Sequence, residues 1–146
     1  MSAKRRFTTA DRIVLDSGAL TAVARGSGPL QVALRDATMR DVDIVVPTIV
    51  ITESTTGRPS DANLNAVLRN VVTADLDLQI ARHAAALRFR TQGATISDAV
   101  VVATADTLGP CVIYTGDPAD LGALAAVQNR SQVVPIPSAG RPRRGH

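Results

Sequence analysis

The stretch TISDAVVVATADTLGPCVIYTGDPADLGAL, residues 95–124, decides the fold class. Thr95 can cap a helix over Ile96 to Leu108. Cys111 to Tyr114 is then a short continuous apolar run, as expected of a strand covered on both faces. Asp117-Pro118 opens another helix through Val127. A buried strand with a helix on each side predicts an α/β domain with a parallel sheet.

The same grammar extends outward. Further strand-like runs lie at Arg12 to Leu15, Ile44 to Val46 and Val71 to Thr73, with a weaker one at Gln132 to Pro135. Helices are expected at Leu20 to Arg25 and Gly28 to Arg40, the latter started by Pro29. Ser60 can cap Asp61 to Asn70, where Leu64, Val67, Leu68 and Val71 share a face. Asp77 can cap Leu78 to Arg90, with Ile80, Ala84, Leu87 and Phe89 inward. The whole predicts a three-layer domain over residues 11–136, with a mostly parallel sheet of four to five strands. It is flanked by a basic N-terminal arm (1–10) and a basic C-terminal tail (137–146).

Composition narrows the function classes. Aromatics are 2% of the 146 residues while hydrophobics are 45%, so an aliphatic core is available but an aromatic platform for stacking bases is not. The single cysteine, Cys111, excludes an internal disulfide and a cysteine-based zinc site, and most simply packs as a small hydrophobe. No apolar run approaches the roughly 20 residues that span a bilayer, and the expected location is cytoplasmic. The net charge of +3 is carried by the ends: without Lys4, Arg5, Arg6, Arg141, Arg143 and Arg144, ten basic residues face thirteen acidic ones. Basic arms can neutralise phosphates, although chain ends are also commonly just solvated.

Acidic residues sit where such a fold puts its ligands, just past the carboxyl ends of strands. Asp16 follows IVL, Glu53 follows PTIVIT, and Asp117 follows VIYTG. Asp98 lies in the first turn of a helix that should start at the same edge. Each aspartate has an ordinary structural reading: Asp16 as a turn former, Asp98 in a T-x-x-D capping box, Asp117 as a cap, and Asp120 as a first-turn acid. Glu53, the only glutamate, has none. Carboxylates about 5 Å apart repel by roughly 3 kcal/mol per pair at an effective dielectric of 20. A divalent cation with oxygen ligands, Mg²⁺ or Mn²⁺, offsets that repulsion and points to phosphodiester hydrolysis.

These segments, IVLDSGAL, VVPTIVITES with TGRPSDANLNAVLRN, ISDAVVVATA and VIYTGDPADL, resemble the PIN-domain ribonucleases, and among them the VapC-like toxins of toxin-antitoxin pairs. The resemblance implies a metal-binding, catalytic quartet of Asp16, Glu53, Asp98 and Asp117, with Thr115, Asp120 and Ser17 in support. It also implies RNA cleavage, homodimerisation and inhibition by a cognate VapB-like antitoxin. The chain differs from the family pattern at Gly18, where a hydroxyl residue is common, and in TGDPADL, which has one extra residue and Leu121 in an aromatic position.

Arg25, Arg40 and Arg58 are candidates for holding RNA phosphates. The main alternative is a catalytically inactive scaffold or interaction protein of the same fold. A phospho-accepting receiver module needs a lysine near its acids, and the only lysine is Lys4. Nucleotide binding through RGSGPLQ is disfavoured, since Gln31 stands where the dinucleotide fingerprint needs its last glycine. His83, mid-helix with no ligand spacing nearby, is expected to be a bystander.

Overall fold

The computed structural model describes residues 12–128 and 130–137; the two basic arms lie outside this range apart from Pro137. In chain order the elements are β1 (Arg12–Leu15), α1 (Ser17–Ala24), α2 (Gly28–Met39), β2 (Asp43–Pro47) and α3 (Thr48–Ser54). A 3₁₀ turn (Pro59–Asp61) leads to α4 (Ala62–Leu68), β3 (Val72–Ala74), α5 (Leu78–Arg90), α6 (Ile96–Leu108), β4 (Cys111–Thr115), α7 (Pro118–Ala125) and β5 (Gln132–Pro135).

The five strands form one sheet, ordered β3-β2-β1-β4-β5, in which every pairing is parallel. With β1 central, Ile13 pairs with Ile44 on one side and Val112 on the other. Val14, Leu15, Val46 and Ile113 have essentially no exposure, which explains why their runs are continuous rather than alternating. The order of strands reverses between β1 and β4, so the chain leaves these neighbours in opposite directions and opens a crevice at their carboxyl ends.

Helix α6 is the hub. Ala99 to Asp106 are all buried, and the helix contacts β1, β2, β4, α3, α5 and α7. Helices apolar on all sides belong inside a domain, and this one is clad by elements all round. At its carboxyl end Arg12 Nη1 donates to the Leu108 carbonyl at 3.0 Å, satisfying a terminal acceptor and complementing the helix dipole. Gly109, at φ 99°, then turns the chain into β4. The amino end of α6 is thereby fixed at the opposite, carboxyl edge of the sheet.

Several local readings need correction. Helix α1 starts at Ser17, three residues earlier than expected, because the Asp16 side chain caps it. Ser60 caps nothing: it lies in the 3₁₀ turn, and α4 begins at Ala62. Phe89 is 93% exposed. It stands two residues, about 200° around the helix, from buried Leu87, and so points away from the stripe of Ile80, Ala84 and Leu87.

The loop after α3 is organised by Asp61, whose carboxylate accepts from Thr56 N (2.8 Å), Gly57 N (2.7 Å) and Thr56 Oγ1 (3.0 Å). These bonds, the one from the Thr56 backbone foremost, hold its pKa below the ordinary 3.8. Their stabilisation is therefore full above 3.8 and is lost as pH falls through the lower folded-state value. Asp61→Ala is expected to lower the urea midpoint at neutral pH, with the gap to wild type closing in strong acid. A pH-independent gap would show that packing, not the charged bonds, matters.

Candidate metal site at the sheet edge

The β1–β4 crevice receives the acids from three directions. Asp16 follows β1, Asp117 precedes α7 and Asp120 lies in its first turn, and Asp98 lies in the first turn of α6. One carboxylate oxygen each from Asp98, Asp117 and Asp120 lie within 4.8 Å of one another. Asp16 stands beside them, close enough for its charge to act on Asp98. Glu53, on the exposed side of α3, joins through a hydrogen bond from Ser97 Oγ to its Oε1, which ties it to the residue preceding Asp98.

Asp16 is 5% exposed, and both of its oxygens are engaged. Oδ1 accepts from Ala19 N at 2.8 Å, capping α1, and Oδ2 accepts from Thr115 Oγ1 at 2.5 Å. Thr115 Oγ1 in turn accepts from Asp117 N at 2.7 Å. One buried hydroxyl thus fixes the first and last acids of the crevice relative to each other. The expected capping role of Asp117 is not observed: its side chain caps nothing, and its own N–H is the capped group. The T-x-x-D reading holds in part, as Thr95 Oγ1 accepts from Asp98 N at 3.1 Å and leaves the Asp98 carboxylate to face the crevice acids.

The electrostatics reflect the crowding. Burial raises the pKa of Asp16, against hydrogen bonds from Thr115, Ala19 and Gly116, and the charge of Asp117 adds to the rise. Burial also raises Asp98, opposed by Thr95 and reinforced by the charges of Asp117, Asp16 and Asp120. Asp120 is raised chiefly by a hydrogen bond shared with Asp117 and by that residue's charge. An all-oxygen donor set in which the pKa values of Asp16, Asp98 and Asp120 are raised fits a hard divalent cation such as Mg²⁺ or Mn²⁺, which favours the ionised forms.

A glycine pair explains the departure at position 18. A Cβ on Gly18, in the first turn of α1, would come within 3.2 Å of the Gly116 backbone, so a side chain there requires the turn after β4 to give by a few tenths of an ångström. Ser17, Gly18, Thr21, Arg25, Glu53 and Ser54 line a groove of about 540 Å³ between α1 and α3. Arg25 is therefore on the same groove as Glu53 and Ser17. Arg58 is exposed in the loop after α3. Arg40 is elsewhere: it pairs with Asp36 at 3.1 Å and precedes β2, at the amino edge of the sheet. Sequence reasoning overlooked Ser97, although its place beside Asp98 was a usable signal, and it ranked Asp120, which lies within 4.8 Å of Asp98 and Asp117, only as supporting.

This arrangement of a parallel five-stranded sheet between helix layers is the PIN-like fold. The chain is similar in structure to the solved VapBC2 complex from Rickettsia felis bound to a promoter DNA fragment, with a TM-score of 0.67 and 10% identity over 86% of this chain and 99% of that one. It is similar also to the DNA-bound VapBC complex from Salmonella typhimurium, at TM-score 0.66 and 15% identity over 85% and 97%. For a toxin-antitoxin complex from Klebsiella pneumoniae the values are 0.62 and 19%, over 74% and 88%. No family model matches the chain, and no curated protein matches it by sequence.

Proposed function

We propose that the chain is a divalent-metal-dependent endoribonuclease, the VapC-like toxin of a toxin-antitoxin pair, held inactive by a cognate VapB-like antitoxin. The observation that carries the reading is the convergence of Asp98, Asp117 and Asp120 within 4.8 Å at the β1–β4 crevice, backed by Asp16 and Thr115. The likeness to VapBC complexes supports the toxin and antitoxin roles.

Asp16, Glu53, Asp98 and Asp117 would hold Mg²⁺ or Mn²⁺, with Asp120 as a further ligand. Bound there, the ion supplies a nucleophilic hydroxide and stabilises the departing oxygen of the phosphodiester. Thr115 keeps Asp16 and the Asp117 backbone in register, and Ser97 orients Glu53. Arg25, across the groove from Glu53, offers a charge for an RNA phosphate, and Arg58 is a more distant candidate. Val32 and Met39, exposed seven residues apart along one face of α2, would offer apolar surface to a second copy of the chain.

The direct test is cleavage of total RNA by the purified protein with Mg²⁺ and with EDTA. Cleavage only with the metal is expected; activity that persists in EDTA would remove the hydrolytic site from consideration. Glu53→Asp shortens the one side chain that reaches in from α3. A loss of at least about tenfold in cleavage rate is expected from the misplacement, while full activity would mean that its reach is immaterial.

A further inference from the structure

The two basic segments join the sheet at opposite edges. At the carboxyl edge, Pro135 pairs with Thr115 at the end of β5, and Ile136 N donates to the Thr115 carbonyl at 3.0 Å. The Ile136 side chain lies beside Gly116 and against the core, so the chain leaves next to the turn that carries Asp117. Residues 138–146, SAGRPRRGH, lie outside the described residues and bring Arg141, Arg143 and Arg144. Arg141 is four residues beyond Pro137, so its Cα stands at most about 14 Å from that exit. At the amino edge, Arg12 begins β1 opposite Asp43 and Cys111, so Lys4, Arg5 and Arg6 join the body a strand length away, about 10–13 Å.

A polyanion that docks at the crevice needs positive charge there. Asp16, Glu53, Asp98, Asp117 and Asp120 gather at this edge, and one divalent cation offsets only part of their charge. The remainder repels phosphates at the point where they must approach. Among the described residues the ion pairs are Arg40 with Asp36 and His83 with Asp106, neither of which touches these acids, and a single arginine, Arg25, lines the adjoining groove. Guanidinium groups match phosphate bidentately and are weakly hydrated, which suits arginine to supply the missing charge. The N-terminal cations meet a different field, because Asp41 and Asp43 are exposed at their edge.

We propose that residues 138–146 are a phosphate-binding arm for the RNA substrate, in which Arg141, Arg143 and Arg144 neutralise phosphates flanking the one to be cut. This rests on the nuclease reading above and adds to it residues that hold the substrate. Strand β5 delivers the arm, since its parallel register with β4 places the exit at the crevice and not at the opposite edge. The N-terminal segment, with the same number of cations in Lys4, Arg5 and Arg6, serves as the internal control. Contact through phosphates is independent of base sequence, so the arm contributes affinity and salt dependence and not the choice of cleavage site.

The experiment measures binding of a fluorescent single-stranded RNA to the full chain by anisotropy over a range of salt, in an Asp98→Asn/Asp117→Asn background that cannot cleave it. Adding Arg141→Gln/Arg143→Gln/Arg144→Gln is expected to weaken binding at least about tenfold near 0.1 M salt and to lower the salt slope by about 2, as three lost phosphate contacts on a single strand require. Lys4→Gln/Arg5→Gln/Arg6→Gln is expected to change binding by less than about threefold, the same charge having been removed from the far edge. With the acids intact, the C-terminal substitutions should raise KM for cleavage more than they lower kcat. Cleavage by the wild type in Mg²⁺ is scored separately, so a failed nuclease reading shows there and a failed arm shows in the binding. RNA affinity unchanged by the C-terminal substitutions, or weakened equally by the N-terminal ones, overturns the proposal. So does faster cleavage at limiting Mg²⁺ after the C-terminal substitutions, since the arginines would then cover the chain's own acids and not the RNA.

Discussion

Asp98→Asn is expected to abolish Mg²⁺-dependent RNA cleavage, by about 10²-fold or more, while raising the thermal stability of the metal-free protein. Both effects come from one cause. Asp98 sits where burial and the charges of Asp117, Asp16 and Asp120 disfavour its ionised form, so the folded protein bears a cost at neutral pH that a neutral amide of the same shape removes. The pH dependence has a fixed sign. A carboxyl whose folded-state pKa is raised binds more protons in the native state between 3.8 and that raised value, so its contribution to stability falls as pH rises through the window. The Tm advantage of the variant should therefore be full at neutral pH and vanish as pH drops toward 3.8. Added Mg²⁺ should stabilise the wild type and not the variant. A variant that cleaves normally, or that is less stable at neutral pH without metal, would contradict the crevice assignment.

Thr115→Val has the largest expected effect on stability. The hydroxyl is wholly buried, donates to Asp16 Oδ2 and accepts from Asp117 N, and valine replaces it with a methyl of nearly the same volume. The buried Asp16 oxygen and the part-buried Asp117 N–H lose their partner at once, and with only the first fully shut off from water a loss of about 1–3 kcal/mol is expected in urea denaturation. Asp16 also loses the strongest of the hydrogen bonds that oppose its burial, and its pKa should climb further. The acid limb of the cleavage-rate profile should then move to higher pH. Thr115→Ser keeps the hydroxyl and should restore both stability and profile. Wild-type stability in the valine variant would mean that solvent replaces the hydroxyl and that Thr115 does not hold the acids together.

The raised pKa values fit the proposed metal requirement. Asp16, Asp98 and Asp120 are all shifted toward the neutral form, although Asp16 alone receives a hydroxyl and two backbone N–H groups. Stability has been given up for proximity of like charges, as is usual where a site must be preorganised for a ligand.

The amino-acid sequence by itself determined the elements and their class. Continuous β-branched runs identify the parallel strands β1, β2 and β4, which are mostly buried, whereas the edge strands β3 and β5 stay largely exposed; the caps at Asp77 and Thr95 fall where their side chains bond the first turn of a helix. It also determined that acids follow the strands. What it left open is everything that depends on how helices are rotated and strands ordered. Phe89 points to solvent, Asp120 comes within 4.8 Å of Asp98 and Asp117, Arg40 lies at the amino edge of the sheet, and Asp106 meets His83 across two helices. Local periodicity encodes which face of an element is apolar, but not which distant element covers it. The β3-β2-β1-β4-β5 order brings Asp16 beside Thr115 across 99 residues, and no pattern within either segment records that contact.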